Sequence, residues 1–303
     1  MSNGTATEAI TTSRETGPGA LKVRRKPGLL RRSLKSKRTV IGLALTVLIL
    51  ALAFLGPYLA PHSPTEFVAA PFSPAGTGGP FGTDNLGRDV LSRFFAGGQT
   101  LVILAVLSTG LGVGLGALVG VLAAYRRGWL DEALMRTGDV ALAFPQIVLA
   151  LLFLSIIGPQ LWLLVLMVGL GHLPRVARVV RGAALSVVER DFIKAAESVG
   201  IPRWRIIVGE IVPNISSTLA VEFGLRLTYS IGLVAGLSFL GLGLQPPTAD
   251  WGLMINENRI ALTISPWSVA LPVIAIALLT VGTNLVTDGL AKAAIGSDQG
   301  VKE

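Results

Sequence analysis

The sequence predicts an all-α membrane protein with six transmembrane helices, and three observations support this fold class. Hydrophobic residues make up 51% of the chain and charged residues only 15%, whereas soluble domains carry about 25% charged residues. The mean hydropathy is +0.66. Several uncharged runs reach the length of about 20 residues that is needed to cross the hydrocarbon core of a membrane.

The uncharged run 140–174 is the main ambiguity in placing the spans. As one helix it would be about 52 Å long, at about 1.5 Å per residue, which is too long for a single crossing. Gly158 and Pro159 interrupt it, so a tight hairpin is expected there. The predicted spans are 40–59, about 100–125, about 134 to the hairpin, the hairpin to about 181, 215–240, and 267–291 with Pro272 inside it.

Basic residues predict the orientation of these spans. Of the 26 lysines and arginines, 22 lie in the N-terminal tail, after the second or fourth span, or at the C-terminus. Cytoplasmic loops are enriched in Lys and Arg, so both termini are expected in the cytoplasm. The predicted regions are a basic, mostly disordered cytoplasmic tail at 1–38, a first transmembrane helix at 39–61, an extracytoplasmic segment at 62–98, a five-helix core at 99–291 and a cytoplasmic tail at 292–303.

Composition and charge argue against several other classes. The net charge is +8, but much of it lies in the tail before the first span, which indicates proximity to the membrane surface rather than to nucleic acid. Cysteine is absent, which excludes disulfides, and the distant His62 and His172 do not predict a metal site. The run 39–61 is longer than the apolar core of a signal peptide, so a retained span is favoured over a cleaved leader.

The segment 189–213 is polar and predicts two short helices joined by a glycine. A helix over 191–199 would end at Gly200, which can adopt the positive φ of a helix C-terminus. Ile201 precedes a proline and is therefore disfavoured in a helix, and Pro202 suits the first position of the next helix. We expect helix, glycine turn and helix at the cytoplasmic membrane surface.

This segment resembles the EAA loop of the integral-membrane subunits of ABC importers, which docks onto the ATP-hydrolysing subunits. Ala195, Ala196 and Gly200 match that pattern, whereas Lys194 stands where the pattern has glutamate. Two more blocks, FGTDNLGRDVLSRFFAGGQTLVI from residue 81 and AGLSFLGLGLQPPTADWG from residue 235, are similar to dipeptide, oligopeptide and nickel permeases. The likeness is greatest to the second, C-type permease, and it implies a type I ABC importer bundle.

The resemblance implies a subunit that forms half of the translocation pathway of an ATP-driven importer in the bacterial cytoplasmic membrane, with di- or oligopeptides as the expected cargo. The expected partners are a homologous second permease, two ATP-binding subunits, an extracytoplasmic substrate-binding protein and membrane lipid, without nucleic acid. The sequence has no G-x-x-x-x-G-K-[ST] phosphate loop, so ATP and Mg are expected on the partner subunits and no cofactor on this chain, which is a transport subunit rather than an enzyme.

Two sets of residues follow from the resemblance. Trp204 and Arg205 suit a docking surface, and equally the aromatic belt and lipid headgroups. Asp84, Arg88 and Asp89 would either meet a binding protein or form a capped amphipathic helix at the membrane interface, with Asp84 near its N-cap. The expected docking residues are Lys194, Ala195, Ala196, Glu197, Gly200, Ile201, Trp204 and Arg205, and the extracytoplasmic family motif contains Gly82, Thr83, Asp84, Gly87, Arg88 and Asp89.

Two further patterns lie within the spans. A stripe of small residues in the second span predicts close helix packing, within the chain or against a partner permease. Glu222 and Arg226 lie in the first turns of the fifth span and predict a mutual ion pair, with separate snorkelling to the headgroups as the alternative. The stripe consists of Gly112, Gly116 and Gly120.

Other functions make different demands on the sequence. A secondary transporter would need internal repeats and paired broken helices, and no convincing repeat is found. An intramembrane enzyme would need convergent ionisable groups, for which Glu222 and Arg226 are too few. A non-transporting membrane scaffold is the remaining alternative.

Overall fold

The computed structural model describes residues 33–34 and 36–298, so most of the predicted N-terminal tail and the last five residues lie outside the described part. The described chain contains a π-helical turn, Ile207–Ile211, and a 3₁₀ turn, Arg259–Ala261, besides its α-helices. The α-helices are α1 (Lys37–Leu59), α2 (Val90–Ala96), α3 (Gly98–Arg126), α4 (Trp129–Leu142), α5 (Gln146–Ile157), α6 (Leu161–Val188), α7 (Asp191–Ser198), α8 (Arg203–Ile206), α9 (Val212–Asn214), α10 (Ser216–Phe239), α11 (Trp251–Asn258) and α12 (Trp267–Asp298).

Among the described residues, five helical stretches are long and apolar enough to cross a membrane, namely α1, α2 with α3, α6, α10 and α12. The bent pair of α4 and α5 brings the number to six if the two helices form one broken span. The predicted all-α membrane fold is confirmed, with five or six spans in the described part of the chain. Two spans run further than predicted, because α6 continues to Val188 and α12 to Asp298. The apolar pattern marks only the part of a helix that lies in lipid, whereas a helix can continue into water.

The third span was predicted as one helix from about residue 134 to the hairpin, and this prediction was wrong. The structure has two helices, α4 and α5, bent by 77° at a short break. Phe144 precedes Pro145, which disfavours the helical conformation at that position, and Pro145 itself has the extended ψ of 119°. The hairpin at Gly158 is confirmed, since α5 ends at Ile157 and Gly158 has a φ of 102°.

The glycine stripe of α3 lies against α6 of the same chain. A Cβ atom added to Gly112 would lie 2.6 Å from the carbonyl oxygen of Gly169, and one added to Gly116 would lie 2.6 Å from Cβ of Val176. Gly120 approaches α6 in the same way. These distances are shorter than van der Waals contact, so only glycine lets the two helices come this close.

The bundle has two ends, named here by their connecting segments. At the 62–89 end, the buried core includes Trp251, which is fully buried and stacks on Phe94 with ring centroids 5.7 Å apart. Its indole Nε1 donates to the Phe94 carbonyl at 2.8 Å. At the 189–213 end, a second buried cluster joins the last turns of α3 and α6 to α7, α8 and the start of α10.

Candidate functional site

The 189–213 segment contains a complete C-terminal capping motif at Gly200. The φ of Gly200 is 77°, a left-handed value that favours glycine. Its N–H donates to the Glu197 carbonyl at 3.0 Å, and the N–H of Ile201 donates to the Ala196 carbonyl at 3.1 Å. These two bonds form the Schellman motif, which ends α7 and sets the angle at which α8 follows. An added side chain would meet no atom within 4 Å, so the constraint at Gly200 comes from the backbone alone.

The segment has an inner face that packs against the bundle and an outer face that is exposed. Ile193 and Ile206 are each 1% exposed and belong to the cluster that includes Val180 of α6. The outer face presents large apolar side chains to solvent, which is unusual unless another surface covers them. These exposed side chains are Phe192, Val199, Ile201, Trp204 and Val208.

Most of the docking residues predicted from the sequence lie on the exposed side of this segment. Lys194 Nζ lies 3.5 Å from Asp191 Oδ1, and the Arg205 guanidinium stacks over Trp204 at 5.3 Å from the ring centroid. The exposed residues of the set are Lys194, Ala195, Glu197, Gly200, Ile201, Trp204 and Arg205, while Ala196 is half-buried.

Sequence reasoning missed several residues of this surface. Phe192, Val199 and Val208 are exposed apolar residues on the same segment, and a scan for apolar residues in a polar loop would have found them. Glu197 accepts a hydrogen bond from the Tyr125 hydroxyl at 2.8 Å. That contact ties the segment to the end of α3, and no local pattern predicts it.

The second helix of the segment differs from the prediction in two ways. Pro202 is the residue before the helix rather than its first residue, because its ψ of 138° is extended and α8 begins at Arg203. The helix is also interrupted by the π-helical turn Ile207–Ile211, immediately before α9. Pro213 lies within α9 and has no N–H, so the α-helical bond to residue 209 cannot form.

A cluster of four charged side chains lies at the 62–89 end, of which Glu257 is partly exposed and the other three are buried. Asp84 Oδ2 accepts hydrogen bonds from Arg88 Nε at 2.7 Å and from Arg93 Nη1 at 2.8 Å. Glu257 Oε2 lies 3.2 Å from Arg88 Nη2 and 2.9 Å from Arg93 Nη2. Burial raises the pKa of Glu257 to about 7, although the Arg88 charge acts to lower it. The cluster joins the segment before α2 to α11.

The structure corrects the roles expected for the extracytoplasmic motif. Asp89, rather than Asp84, caps α2, and its carboxylate accepts from the N–H groups of Leu91 and Ser92. Asp84 and Asp89 are 0% exposed and Arg88 is 2% exposed, so they are not the surface residues that the sequence predicted. Of the remaining motif residues, Gly82 and Gly87 have positive φ values and Thr83 is buried.

A row of polar side chains crosses the bundle between α3, α6 and α10. His172 Nε2 lies 2.9 Å from Ser230 Oγ, which lies 2.9 Å from Thr109 Oγ1. Thr109 donates to the Ala105 carbonyl at 2.7 Å. This chain of hydrogen bonds fixes the imidazole beside a cavity of about 300 Å³, lined by Gln146, His172, Arg175, Arg226, Tyr229 and Leu233.

Glu222 and Arg226 lie beside this cavity. Arg226 Nε donates to Glu222 Oε2 at 3.1 Å, and the two side chains are 11% and 6% exposed respectively. Arg226 lies about 15 Å along α10 from Ser216, at about 1.5 Å per residue. The mutual ion pair predicted from the sequence is therefore present in the structure, two to three turns into α10.

The sequence of this chain matches a known protein family. Residues 112–295 match the family described as binding-protein-dependent transport system inner membrane component. The chain belongs to this family. Residues 29–74 match the N-terminal transmembrane domain of oligopeptide transport permease C, which agrees with the likeness to the C-type permease of the peptide and nickel ABC importers.

Individual relatives match over most of the permease. The chain is 36% identical over 265 residues to the glutathione transport system permease protein GsiD of Pectobacterium atrosepticum, covering 87% of this chain and 88% of the relative. It is 38% identical over 213 residues to the protein of the same name from Escherichia coli, covering 70% of each. This permease is therefore a multi-pass inner-membrane transport subunit that works in a complex with other subunits.

Proposed function

We propose that this permease forms half of the translocation pathway of an ATP-driven importer for short peptides. The observation that supports coupling to ATP hydrolysis is the exposed apolar face of the 189–213 segment, held at a fixed angle by the Gly200 turn. Aromatic and arginine side chains, such as Trp204 and Arg205, dominate the energetics of protein interfaces. A protein surface seated on this face would bury the exposed apolar side chains.

The proposed cargo class is supported by the relatives, which are named as glutathione transport permeases. Glutathione is a modified tripeptide, so a short peptide is the cargo class that the likeness favours. The proposed partners are a homologous second permease, two ATP-binding subunits that hold ATP and Mg, and an extracytoplasmic substrate-binding protein.

The proposed coupling runs from the docking face into the membrane through contacts of this chain. Ile193 and Ile206 pack against the ends of α3 and α6, and Glu197 is hydrogen-bonded to Tyr125 of α3. The second helix of the segment leads through the π-helical turn into α10. A displacement of the segment by closing ATPase subunits would therefore move α3, α6 and α10, which carry the polar row, and α6 and α10 also line the cavity.

The proposed orientation puts the 189–213 end in the cytoplasm. We expect a reporter that is active only in the cytoplasm to be active when inserted near Arg203 or fused after Glu303, and silent when inserted near Thr77. The reason is that the basic residues concentrate at the 189–213 end, and cytoplasmic loops are enriched in Lys and Arg. Reporter activity per inserted protein is the measurement. A silent insertion near Arg203, in a protein that still inserts, would contradict both the orientation and the docking role.

Gly200→Val is expected to uncouple the importer. A β-branched residue in a left-handed conformation costs about 1–3 kcal/mol, so the Schellman turn should open and tilt α8 relative to α7. The apolar spans are unchanged, so the protein should still insert. Co-purification with the ATP-binding subunits and substrate-stimulated ATP hydrolysis should both fall.

The matched control for this variant is Gly200→Asn. Asparagine enters the left-handed region more readily than other non-glycine residues, and the site has room for a side chain. We expect the Asn variant to keep most of the docking and the stimulated hydrolysis. Equal activity of the Val and Asn variants would contradict the docking role and indicate that the segment is an ordinary interhelical loop.

A further inference from the structure

We infer that the cavity between α5, α6 and α10 binds a carboxylate group of the cargo, with the guanidinium groups of Arg175 and Arg226 as its partners. This inference rests on the proposed function, since a peptide with a free C-terminus carries such a group. The cavity lining contains two arginines and no carboxylate, and Arg226 pairs with Glu222, which lies outside the lining. Within the part of the chain that the structure describes, no acidic side chain lies within ion-pair distance of Arg175.

The two arginines lie within the predicted membrane spans, where a positive charge without an acidic partner is costly. Arg175 lies about 9 Å along α6 from residue 181, where the fourth span is predicted to end, and Arg226 lies about 15 Å along α10 from Ser216, at about 1.5 Å per residue. Ionisable groups at such a depth are costly and usually face a partner or a water-filled pathway.

The contacts of Arg226 leave part of its guanidinium free for a ligand. Glu222 is bonded through Nε, and the Tyr229 ring lies 5.7 Å from the guanidinium carbon. Neither terminal amino group donates a hydrogen bond to any residue in the described ranges. Glu222 and Tyr229 therefore orient the guanidinium, and its outer edge has the paired N–H geometry that matches a carboxylate.

Arg175 is held loosely and on the same cavity wall. Its Nη1 lies 3.4 Å from Gln146 Oε1 and 3.4 Å from the Gly171 carbonyl, which are long, weak contacts. Gln146 is itself held by a bond of 3.0 Å from its Nε2 to the Val168 carbonyl. A carboxylate in the cavity would offer Arg175 a charged acceptor in place of these neutral ones.

The rest of the cavity suits one end of a short peptide. Its volume is about 300 Å³, which is at the small end for ligand pockets. Leu233 adds an apolar surface, and His172 is fixed by its hydrogen bond to Ser230. The arrangement fits a carboxylate with a small apolar neighbour, as at the C-terminus of a peptide.

The direct test is protection of Arg175 from an arginine reagent in the assembled, detergent-purified importer. Phenylglyoxal labelling is followed by mass spectrometry, with glutathione, glutathione diethyl ester or chloride as competitor. Glutathione at about ten times its Kd should slow labelling of Arg175 about tenfold, and the ester and chloride should not. Labelling of the exposed Arg136 should be unaffected. Equal labelling with glutathione and ester, or equal protection by chloride, would overturn the inference.

Variants and uptake assays separate this inference from the proposed function. Arg226→Gln should abolish the protection of Arg175 and Arg226→Lys should keep part of it. Arg175→Gln should lower glutathione uptake by reconstituted importer about tenfold, the scale of one charge-assisted hydrogen bond. Arg178→Gln is the control, because Arg178 pairs with Asp139 outside the cavity.

The outcomes distinguish the two hypotheses. If glutathione protects Arg175 but the importer takes up no peptide, the proposed function is refuted and the site is supported. Normal uptake by an assembled Arg175→Gln importer would refute the site and leave the proposed function standing.

Discussion

Asp84→Asn is expected to destabilise the permease by about 3–5 kcal/mol, the cost of leaving a buried charge without its partner. The variant keeps the shape of the side chain but removes the charge that faces Arg88 and Arg93, which are 2% and 0% exposed. Glu257 cannot fully replace it, because one carboxylate would then face the guanidinium groups of both Arg88 and Arg93. The measurement is the thermal unfolding of the purified protein and the yield of monodisperse protein.

A matched control is available at the surface. Glu132→Gln removes one carboxylate from the Glu132–Arg136 pair, whose side chains are 64% and 77% exposed. Exposed pairs of this kind contribute less than about 1 kcal/mol, so this variant should unfold at nearly the wild-type temperature. If Asp84→Asn were as stable as Glu132→Gln, the cluster would contribute no more than a surface ion pair.

The buried cluster also marks the limit of what the sequence could predict. The six spans were predictable because crossing a hydrocarbon core requires long uncharged runs, and such runs are local. Asp84, Arg88 and Arg93 lie outside those runs and suggested a polar surface. Their burial depends on Glu257, which is 169 residues from Arg88 along the chain. No periodicity or residue spacing within either segment predicts that contact.

The third span shows a different failure. The Phe144–Pro145 signal for a helix break was present in the sequence. The prediction followed the uncharged run instead, because length and apolarity suggested a single crossing. Pro145 breaks the helix although the surrounding residues are apolar, and the two helices meet at an angle of 77°.

The docking segment was predicted more completely, for a physical reason. A positive φ at Gly200, the disfavoured helix at Ile201 and the proline after it are local backbone constraints, and they fix the turn without help from the rest of the chain. The packing of Ile193 and Ile206 and the bond from Tyr125 to Glu197 depend on the whole bundle. These contacts make the segment rigid, and they became visible only in the structure.

The pair of Glu222 and Arg226 is expected to behave as a coupled unit. Glu222→Gln or Arg226→Gln alone leaves one largely buried charge without its partner and should cost about 3–5 kcal/mol. The double variant removes both charges and should recover much of the stability and yield. The quantity to measure is the interaction free energy of the double-mutant cycle, from the unfolding of the three variants and the wild type.

Transport should respond differently from stability in the same cycle. Arg226 faces the cavity as well as Glu222, so removing it should weaken uptake even where the fold is restored. We therefore expect the double variant to regain yield and assembly with the partner subunits while glutathione uptake stays low. If the two single losses in stability simply add in the double variant, the residues do not interact in the membrane. If uptake recovers together with yield, Arg226 acts only as a structural partner of Glu222, since a role in binding the cargo requires its charge to remain.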